Sequence, residues 1–257
     1  MTAPSPGSAL AVRGLTHSYG AVPVLRAVDL DVAAGEVVAV VGPSGAGKTT
    51  LFRCLTRLVR ADAGVLEVFG ADLLQLEGRA LRDARRDLGL VFQSYNLVRR
   101  LSALQNVLVG RLADVPAWRV VLRRFPAGEQ ALAAHCLDQL GLLPYAHTRA
   151  DRLSGGQQQR VAIARVLASR ARVVLADEPV ASLDPASAAA VLSALRSLAT
   201  EHGKAVVCSL HQVDLVAGFA HRVVGLRDGR VVLDVPAARF DTDAARSLYP
   251  RSADVRT

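Results

Sequence analysis

The sequence predicts an α/β fold. Short apolar runs of strand length alternate along the chain with segments of helical periodicity, which is typical of a largely parallel sheet covered by helices. The clearest run, "EVVAVVG" at 36–42, is continuously apolar and ends in glycine, so it predicts a strand buried on both faces. An Asp-Gly pair at 228–229 joins two further apolar runs and predicts a β-hairpin.

The first third of the chain is rich in predicted strands. Residues 10–41 are rich in strand patterns. Apolar and polar residues alternate roughly with a period of two in "LAVRGLTHSY" and "VLRAVDLDV", and the apolar run described above follows them. Leucines at helical spacing in "KTTLFRCLTRL" predict a helix. Beyond it, "AGVLEVFGADL" predicts one strand, and "ALRDARRDLGLVFQ" predicts a charged helix that runs into a short strand.

The last third returns to alternating helices and strands. Helices are predicted over 154–169 and about 185–202, and strands in "RVVLADEP" and "AVVCSLH". A short helix from 213 should lead to the hairpin "RVVGLRDGRVVLDV". The tail, "DTDAARSLYPRSADVRT", predicts a short helix and then a frayed end.

The middle of the chain has a different sequence pattern from the parts on either side of it. "LSALQNVLVGRL" and "GEQALAAHCLDQLGLL" have helical periodicity, and no strong strand pattern occurs between them. We interpret this part as a helical insertion. The predicted organisation is one domain over 10–249 with flexible tails at 1–9 and 250–257, its core formed by 10–96 and 152–249 and its helical part by about 97–151.

Composition excludes several classes of protein. The 257 residues are 51% apolar with mean hydropathy +0.27, yet no apolar run approaches the roughly 18 residues of a membrane span. The N-terminus lacks the pattern of a signal peptide. Cys54, Cys136 and Cys208 are scattered among apolar residues, so we expect reduced core cysteines. The net charge of +8 suits anionic partners, but 4% aromatic residues argue against single-stranded nucleic acid.

The stretch "GPSGAGKTT" fits the phosphate-binding pattern G-x-x-x-x-G-K-[ST] fully. It follows a predicted strand and opens a predicted helix, which is the context that the pattern requires. Glycines allow a tight turn whose N–H groups point at phosphate oxygens, and the helix N-terminus adds a positive dipole end. The predicted nucleotide contacts are Gly42, Pro43, Ser44, Gly45, Ala46, Gly47, Lys48, Thr49 and Thr50.

Polar residues follow three other predicted strands. Asp177 and Glu178 end "RVVLADEP", where a protein with such a loop needs a carboxylate for Mg²⁺ and a general base for water. His211 ends "AVVCSLH" and is predicted to contact the γ-phosphate or the water. Gln93 ends "GLVFQ" and offers an amide for Mg²⁺ or the water. Thr49 is the predicted hydroxyl ligand of the metal.

A second phosphate-like stretch, "LSGGQQQRVAIARVL", begins at Leu153. Ser154, Gly155 and Gly156 stand at a predicted helix N-terminus, which suits an anion. The alternative is an ordinary N-capped helix with a glycine loop.

Taken together, these residues resemble the ATPase subunit of an ABC transporter from about Leu10 to Tyr249. "GPSGAGKTT" is similar to the family's Walker A loop and "VVLADE" to its Walker B strand. "LSGGQ", from Leu153 to Gln157, is similar to the family signature. The further matches are Tyr19 to the adenine-stacking aromatic, Gln93 to the Q-loop glutamine, "SLD" at 182–184 to the D-loop and His211 to the switch histidine.

The resemblance implies a P-loop NTPase fold of the ABC type, with a RecA-like core, an antiparallel β subdomain and the helical insertion. It implies ATP and Mg²⁺ as ligands and two cassettes packed head to tail, either as a homodimer or as a pair with a second cassette chain. In that dimer Ser154, Gly155, Gly156 and Gln157 would close over the ATP of the partner. It also implies two integral membrane permease subunits, an extracytoplasmic substrate-binding protein, a place at the cytoplasmic face of the cell membrane, and no nucleic-acid partner.

A finer resemblance concerns the cargo. "YNLVRRLSALQNVLVGRL", "WRVVLRRF", "ADEPVASLDP" and "LHQVD" are similar to ATPases of phosphonate importers, and the insertion would be where the membrane subunit docks. The basic, apolar stretch "WRVVLRRF" is a candidate surface for a partner helix or for anionic headgroups, and a solvated arginine face with a packed apolar side is the alternative. Phosphite or another organophosphorus compound remains an open cargo. A carbon–phosphorus lyase accessory cassette, a lipoprotein-release or export cassette, and an ABC ATPase acting on nucleic acid or ribosomes are the other functions that we weigh.

Overall fold

The computed structural model describes residues 8–92, 95–116, 118–119, 125–241 and 248. Two sheets form the frame. An antiparallel sheet of four strands has the order β2-β1-β4-β5, and a second sheet of six strands has the order β10-β9-β3-β8-β7-β6. The strands are β1 Ser8–Tyr19, β2 Val22–Ala33, β3 Val37–Val41, β4 Ala63–Val68, β5 Ala71–Asp72, β6 Leu88–Phe92, β7 Val173–Asp177, β8 Ala205–Leu210, β9 Arg222–Arg227 and β10 Arg230–Pro236.

The six-stranded sheet is parallel except at β10, which pairs antiparallel with β9. Its central strand β3 is buried along its whole length because its two faces pack into different cores. Val37 and Val41 belong to one apolar cluster, and Val38 and Val40 belong to the other. The strand predicted from the continuous run "EVVAVVG" is therefore confirmed, as is its burial on both faces.

Six α-helices in the described residues cover the sheets: α1 Lys48–Leu55, α2 Gly78–Ala84, α3 Ala103–Val109, α4 Ala127–Gln139, α5 Gly155–Ala168 and α6 Pro185–Thr200. Helix α1 packs between the two sheets, because its buried residues share a core with the antiparallel sheet. Helices α3 to α6 pack on the opposite face of the six-stranded sheet. Within the described residues, none of the helices has the length and apolarity needed to cross a membrane.

The predicted helices near 154–169 and 185–202 are confirmed as α5 and α6. Two local predictions are wrong. "AGVLEVFGADL" forms two strands, because Phe69 and Gly70 adopt left-handed conformations (φ 47° and 81°) and reverse the chain between β4 and β5. The helix expected from 213 is a single 3-10 turn over 213–215, followed by further turns that bury Val216 and Phe219.

The described residues between 97 and 151 contain α3, α4 and two 3-10 turns, and a single bridge between Ser102 and Arg149 is their strand-like pairing. Ser102 caps α3: its hydroxyl accepts from the Gln105 N–H, and the Gln105 side chain accepts from the Ser102 N–H. The division of the domain at 97 and 151 stays a prediction. The predicted helix in the tail lies outside the described residues, apart from Asp241 and the buried Leu248.

The three cysteines are free thiols buried in the apolar cores, as predicted. Burial raises the pKa of Cys54 and of Cys136 to about 11, and it raises the pKa of Cys208 as well. Because the thiolate is the reactive form, these side chains act as small apolar residues.

The predicted hairpin is confirmed, and its turn contacts the phosphate loop. Asp228 and Gly229 both have positive φ (50° and 74°), as a two-residue hairpin turn of type I′ requires. The Gly229 N–H donates to the Ala46 carbonyl (3.1 Å), and the Gly229 carbonyl accepts from the Arg26 N–H (2.8 Å). A Cβ atom at Gly229 would lie 2.2 Å from the Val24 carbonyl oxygen. The turn is therefore wedged between β2 and the loop before α1.

Replacing Gly229 by alanine should lower the free energy of unfolding by about 3 kcal/mol, because left-handed strain and a backbone clash add together. Gly203 is the matched control: it also has positive φ (63°), but a Cβ atom there would have no other atom within 4 Å. Gly203→Ala should cost about 1 kcal/mol. Urea unfolding followed by circular dichroism measures both. Equal losses in the two variants would contradict the wedged position of the turn.

Candidate nucleotide site

The chain turns sharply between β3 and α1. Gly42, Gly45 and Gly47 have backbone φ angles of 155°, 79° and 103°, which residues other than glycine rarely adopt. A Cβ atom at Gly42 would lie 2.1 Å from the Leu226 carbonyl oxygen, so this glycine is also required by the close approach of β9. The turn delivers the N-terminus of α1, whose first N–H groups lack intrahelical acceptors, to the surface of the loop.

A cleft of about 300 Å³ opens over this loop. One wall is the loop itself with the start of α1, and the other wall comes from the ends of β7 and β8. The structure therefore brings together predicted residues that are more than a hundred positions apart. The residues that line the cleft are Val24, Ser44, Gly45, Ala46, Gly47, Lys48, Thr49, Thr50, Glu178 and His211.

Lys48 is buried within the loop. Its ammonium group donates to the carbonyl oxygens of Gly42 (2.7 Å) and Pro43 (3.1 Å). Burial lowers the pKa of Lys48, and the nearby carboxylates of Glu178 and Asp177 oppose that shift. The loop thus holds a positive charge beside the cleft, which fits an anion of several phosphates.

The acidic pair at the end of β7 is held by a hydroxyl from β8. Ser209 Oγ donates to Asp177 Oδ1 (2.7 Å) and accepts from the Glu178 N–H (2.8 Å). Glu178 has a left-handed backbone (φ 48°), and its Oε1 lies 2.5 Å from His211 Nε2. Burial raises the pKa of Asp177, and the hydrogen bond from Ser209 opposes that shift. Sequence reasoning missed Ser209, although it is a hydroxyl in an otherwise apolar strand.

The residues present fit a magnesium ion. Thr49 and Asp177 both line one cavity of about 140 Å³ beside the cleft, so the residues around it include one with a hydroxyl and one with a carboxylate. Oxygen ligands are those that Mg²⁺ prefers, and it commonly binds through one or two protein groups plus phosphate and water. In the described part of the chain, no three His, Cys, Asp or Glu side chains form a metal cluster.

Two predicted residues stand apart from this cleft. Tyr19 ends β1, is 46% exposed and packs edge-on against His17 (ring centroids 4.7 Å apart), and it is not among the residues that line the cleft. Gln93 lies outside the described residues, just after β6. Its role therefore stays a prediction, as does the role of Tyr19. Asp184 of the predicted D-loop is the N-cap of α6 and accepts from the Ser187 N–H.

The second phosphate-like stretch begins α5 and does not line the cleft. Ser154 and Gln157 form a reciprocal capping box, in which the Ser154 hydroxyl accepts from the Gln157 N–H (3.3 Å). The two glycines have a packing reason of their own. A Cβ atom at Gly155 would lie 2.8 Å from the Tyr95 hydroxyl, and one at Gly156 would lie 2.7 Å from Ser187 Oγ.

Comparison with known proteins identifies the family. The family model described as ABC transporter matches residues 25–181, which is more than half of the chain. The chain belongs to the ABC transporter family.

Individual relatives agree with this assignment. The cassette is 49% identical to the hypophosphite import ATP-binding protein HtxD of Stutzerimonas stutzeri over 94% of this chain and 71% of that one. It is 47% identical to the phosphonates import ATP-binding protein PhnC of Nocardia farcinica over 96% and 92%. Among solved structures, the dimeric ATP-binding cassette MJ0796 bound to ADP and Pi is 31% identical and covers 89% and 98% of the two chains, with a TM-score of 0.74.

These comparisons confirm the predicted fold class and the resemblance to an ABC ATPase. An ABC ATPase cassette binds ATP, couples its hydrolysis to transport, and works as a dimer with membrane permease components.

Proposed function

We propose that this cassette hydrolyses ATP to drive phosphonate uptake through an ABC importer at the cytoplasmic face of the cell membrane. The observation that carries the ATPase part is the contact between Glu178 and His211 in the same cleft as the phosphate loop and Lys48. The cargo part is supported by phosphonate and hypophosphite import ATPases at 47% and 49% identity over most of the chain.

In the proposed reaction, the phosphates of ATP lie along residues 42–50 and accept hydrogen bonds from the backbone and from Lys48. A water molecule attacks the γ-phosphorus in line with the bond to the leaving ADP oxygen. Glu178 accepts a proton from that water as the new P–O bond forms and the bond to ADP breaks. His211, whose Nε2 lies 2.5 Å from Glu178 Oε1, orients the base and the γ-phosphate.

We propose Thr49, Gln93 and Asp177 as the residues that hold Mg²⁺. When bound, the ion neutralises the charge that develops on the phosphate oxygens. Asp177 is suited to this because its carboxylate is already oriented by a hydrogen bond from Ser209.

The complete site requires two chains. We propose that Ser154, Gly155, Gly156 and Gln157 bind the γ-phosphate in the cleft of the partner cassette, and that Tyr19 stacks on the adenine of its own ATP. Ser154 supports this because it is exposed and its hydroxyl, which accepts from the Gln157 N–H, can also donate to a ligand. Two helix N-termini in one chain, at α1 and α5, would then serve two different nucleotides.

The remaining partners are two permease subunits and an extracytoplasmic substrate-binding protein, with no nucleic acid. We keep the helical insertion at about 97–151 as the proposed docking region for the permease. Of the basic stretch 118–125, residues 120–124 lie outside the described part of the chain.

Hypophosphite is the second candidate cargo, because HtxD, at 49% identity, is a hypophosphite import protein. Both candidates are small oxyanions of phosphorus, and the binding protein and permease choose between them. The cassette supplies the same ATP hydrolysis in either case.

Glu178→Gln should reduce kcat for ATP hydrolysis by about 100-fold or more, because the amide cannot accept the proton. The same variant should trap an ATP-bound dimer, which size-exclusion chromatography with ATP detects. Glu201→Gln changes an exposed carboxylate at the end of α6 and should leave kcat unchanged. Hydrolysis at the normal rate by Glu178→Gln would remove Glu178 from the role of base.

Ser154→Ala should abolish hydrolysis and ATP-driven dimerisation while the affinity of the monomer for ATP stays within about twofold of the wild type. Ser102→Ala is a matched control because Ser102 forms the same capping box, with Gln105, at the start of α3. Each substitution removes one N-cap and should cost about 1 kcal/mol of stability. Equal ATPase activity in the two variants would contradict the shared site.

Deleting the gene should abolish growth on methylphosphonate as sole phosphorus source and leave growth on inorganic phosphate intact, because the importer loses its energy source. The wild-type gene should restore growth, and the Glu178→Gln gene should not. Parallel cultures on hypophosphite and phosphite test the other cargoes. Loss of growth on hypophosphite alone would move the assignment to that ion, and unaffected growth on all three sources would contradict uptake.

A further inference from the structure

We propose that Ser209 is a positioning residue for ATP hydrolysis, which orients Asp177 and Glu178 together through one hydroxyl. The inference deepens the proposed function and rests on it, because it assigns a role toward the two acidic residues of that site. It is carried by two hydrogen bonds, of 2.7 Å to the Asp177 carboxylate and 2.8 Å from the Glu178 N–H.

The position of Ser209 follows from strand register. β7 and β8 are parallel, with Val173 opposite Ala205 and Ala176 opposite Cys208. One step further along each strand, Asp177 and Ser209 stand side by side. Alternation along β8 then decides which face they share.

That face is the one toward helix α1. Leu175 on β7 and Val207 on β8 belong to the core that contains α1 and the antiparallel sheet, whereas Ala176 and Cys208 belong to the core on the opposite face. By the period of two, Asp177 and Ser209 also face α1, the helix that carries Thr49. The hydroxyl is thus directed at the side of the sheet where the nucleotide cleft opens.

Ser209 makes both of its side-chain hydrogen bonds in a buried position. The residue is fully buried, so both of its hydrogen bonds are made inside the protein. Its single hydrogen is committed to Asp177 Oδ1, and one of its lone pairs accepts from Glu178. Without the hydroxyl, both the carboxylate and the N–H lose a buried partner.

The backbone of Glu178 gives the second bond a specific consequence. Glu178 is in the left-handed region (φ 48°), which non-glycine residues avoid unless neighbouring contacts hold them there. The bond to its N–H fixes the turn by which the Glu178 side chain reaches His211, 2.5 Å away. Ser209 therefore sets the direction of the proposed base as well as that of the proposed metal ligand.

The test compares Ser209→Ala with Cys208→Ala in the full chain. Cys208 is the neighbouring residue on β8, is equally buried and faces the opposite core, so its truncation controls for lost packing. Three readouts separate positioning from stability: kcat and KM for Mg²⁺–ATP, affinity for a fluorescent ATP analogue with EDTA or with Mg²⁺, and the melting temperature.

Ser209→Ala should lower kcat by about 10- to 100-fold, as loss of a residue that supports a metal ligand does, and should raise KM for Mg²⁺–ATP by no more than about tenfold. Affinity in EDTA should match the wild type, while the tightening of binding that Mg²⁺ produces should shrink by about tenfold. Cys208→Ala should keep the wild-type kcat and Mg²⁺ effect. Equal loss in the two variants, or normal kcat and Mg²⁺ response in Ser209→Ala, would overturn the inference.

Ser209→Thr and Ser209→Cys keep the test decisive if the alanine variant does not fold. Threonine retains the hydroxyl, and the thiol is a weak donor and acceptor, so kcat should be higher for threonine than for cysteine. A threonine variant no better than the cysteine variant would count against the inference. If the wild-type chain itself does not hydrolyse ATP, the proposed function fails instead, independently of Ser209.

Discussion

The parallel pairing of β3, β8 and β7 is the constraint on which the site depends. Strands that run in one direction end at one edge of the sheet, so whatever follows each strand meets its neighbours there. The phosphate loop follows β3, Asp177 ends β7 and His211 follows β8. A single slip in the register of β7 against β8 would turn Asp177 to the other core and leave the cleft without it.

The sequence was sufficient for features that are specified locally. The continuous apolar run of β3 predicts a buried strand because successive residues place apolar side chains on both faces of the sheet. Asp228-Gly229 predicts a turn because both residues tolerate positive φ. The phosphate loop belongs to this group as well. Its glycines and lysine lie within a few residues of one another, so their chemistry is visible without knowing the fold.

Features that depend on register between distant segments could not be predicted in this way. Ser209 contacts residues 31 and 32 positions away, and only the offset between β7 and β8 brings them together. The break between β4 and β5 depends on Phe69 adopting a left-handed backbone, a conformation that its residue type does not suggest. Whether Tyr19 reaches a nucleobase depends on how the antiparallel sheet approaches a bound nucleotide, which no local pattern encodes.

Two constraints act on the glycines of the signature stretch, Gly155 and Gly156: packing within one chain and the proposed phosphate contact between two chains. Within one chain, a side chain at Gly155 or Gly156 would require Tyr95 or Ser187 to move. The proposed phosphate contact excludes a side chain there between chains. Substitution at either glycine therefore tests both constraints together, whereas Ser154, whose capping role is matched by Ser102, allows them to be separated.

The wedge of Gly229 between β2 and the phosphate loop has a consequence for synthesis of the chain. Ala46 leaves the ribosome early, but the N–H that binds its carbonyl belongs to residue 229, and the oxygen that crowds Gly42 belongs to Leu226. The loop therefore lacks these backbone contacts until the hairpin formed by β9 and β10 has been synthesised. A nascent chain therefore carries the phosphate-binding sequence before it carries the residues that contact the loop from β9 and the hairpin turn.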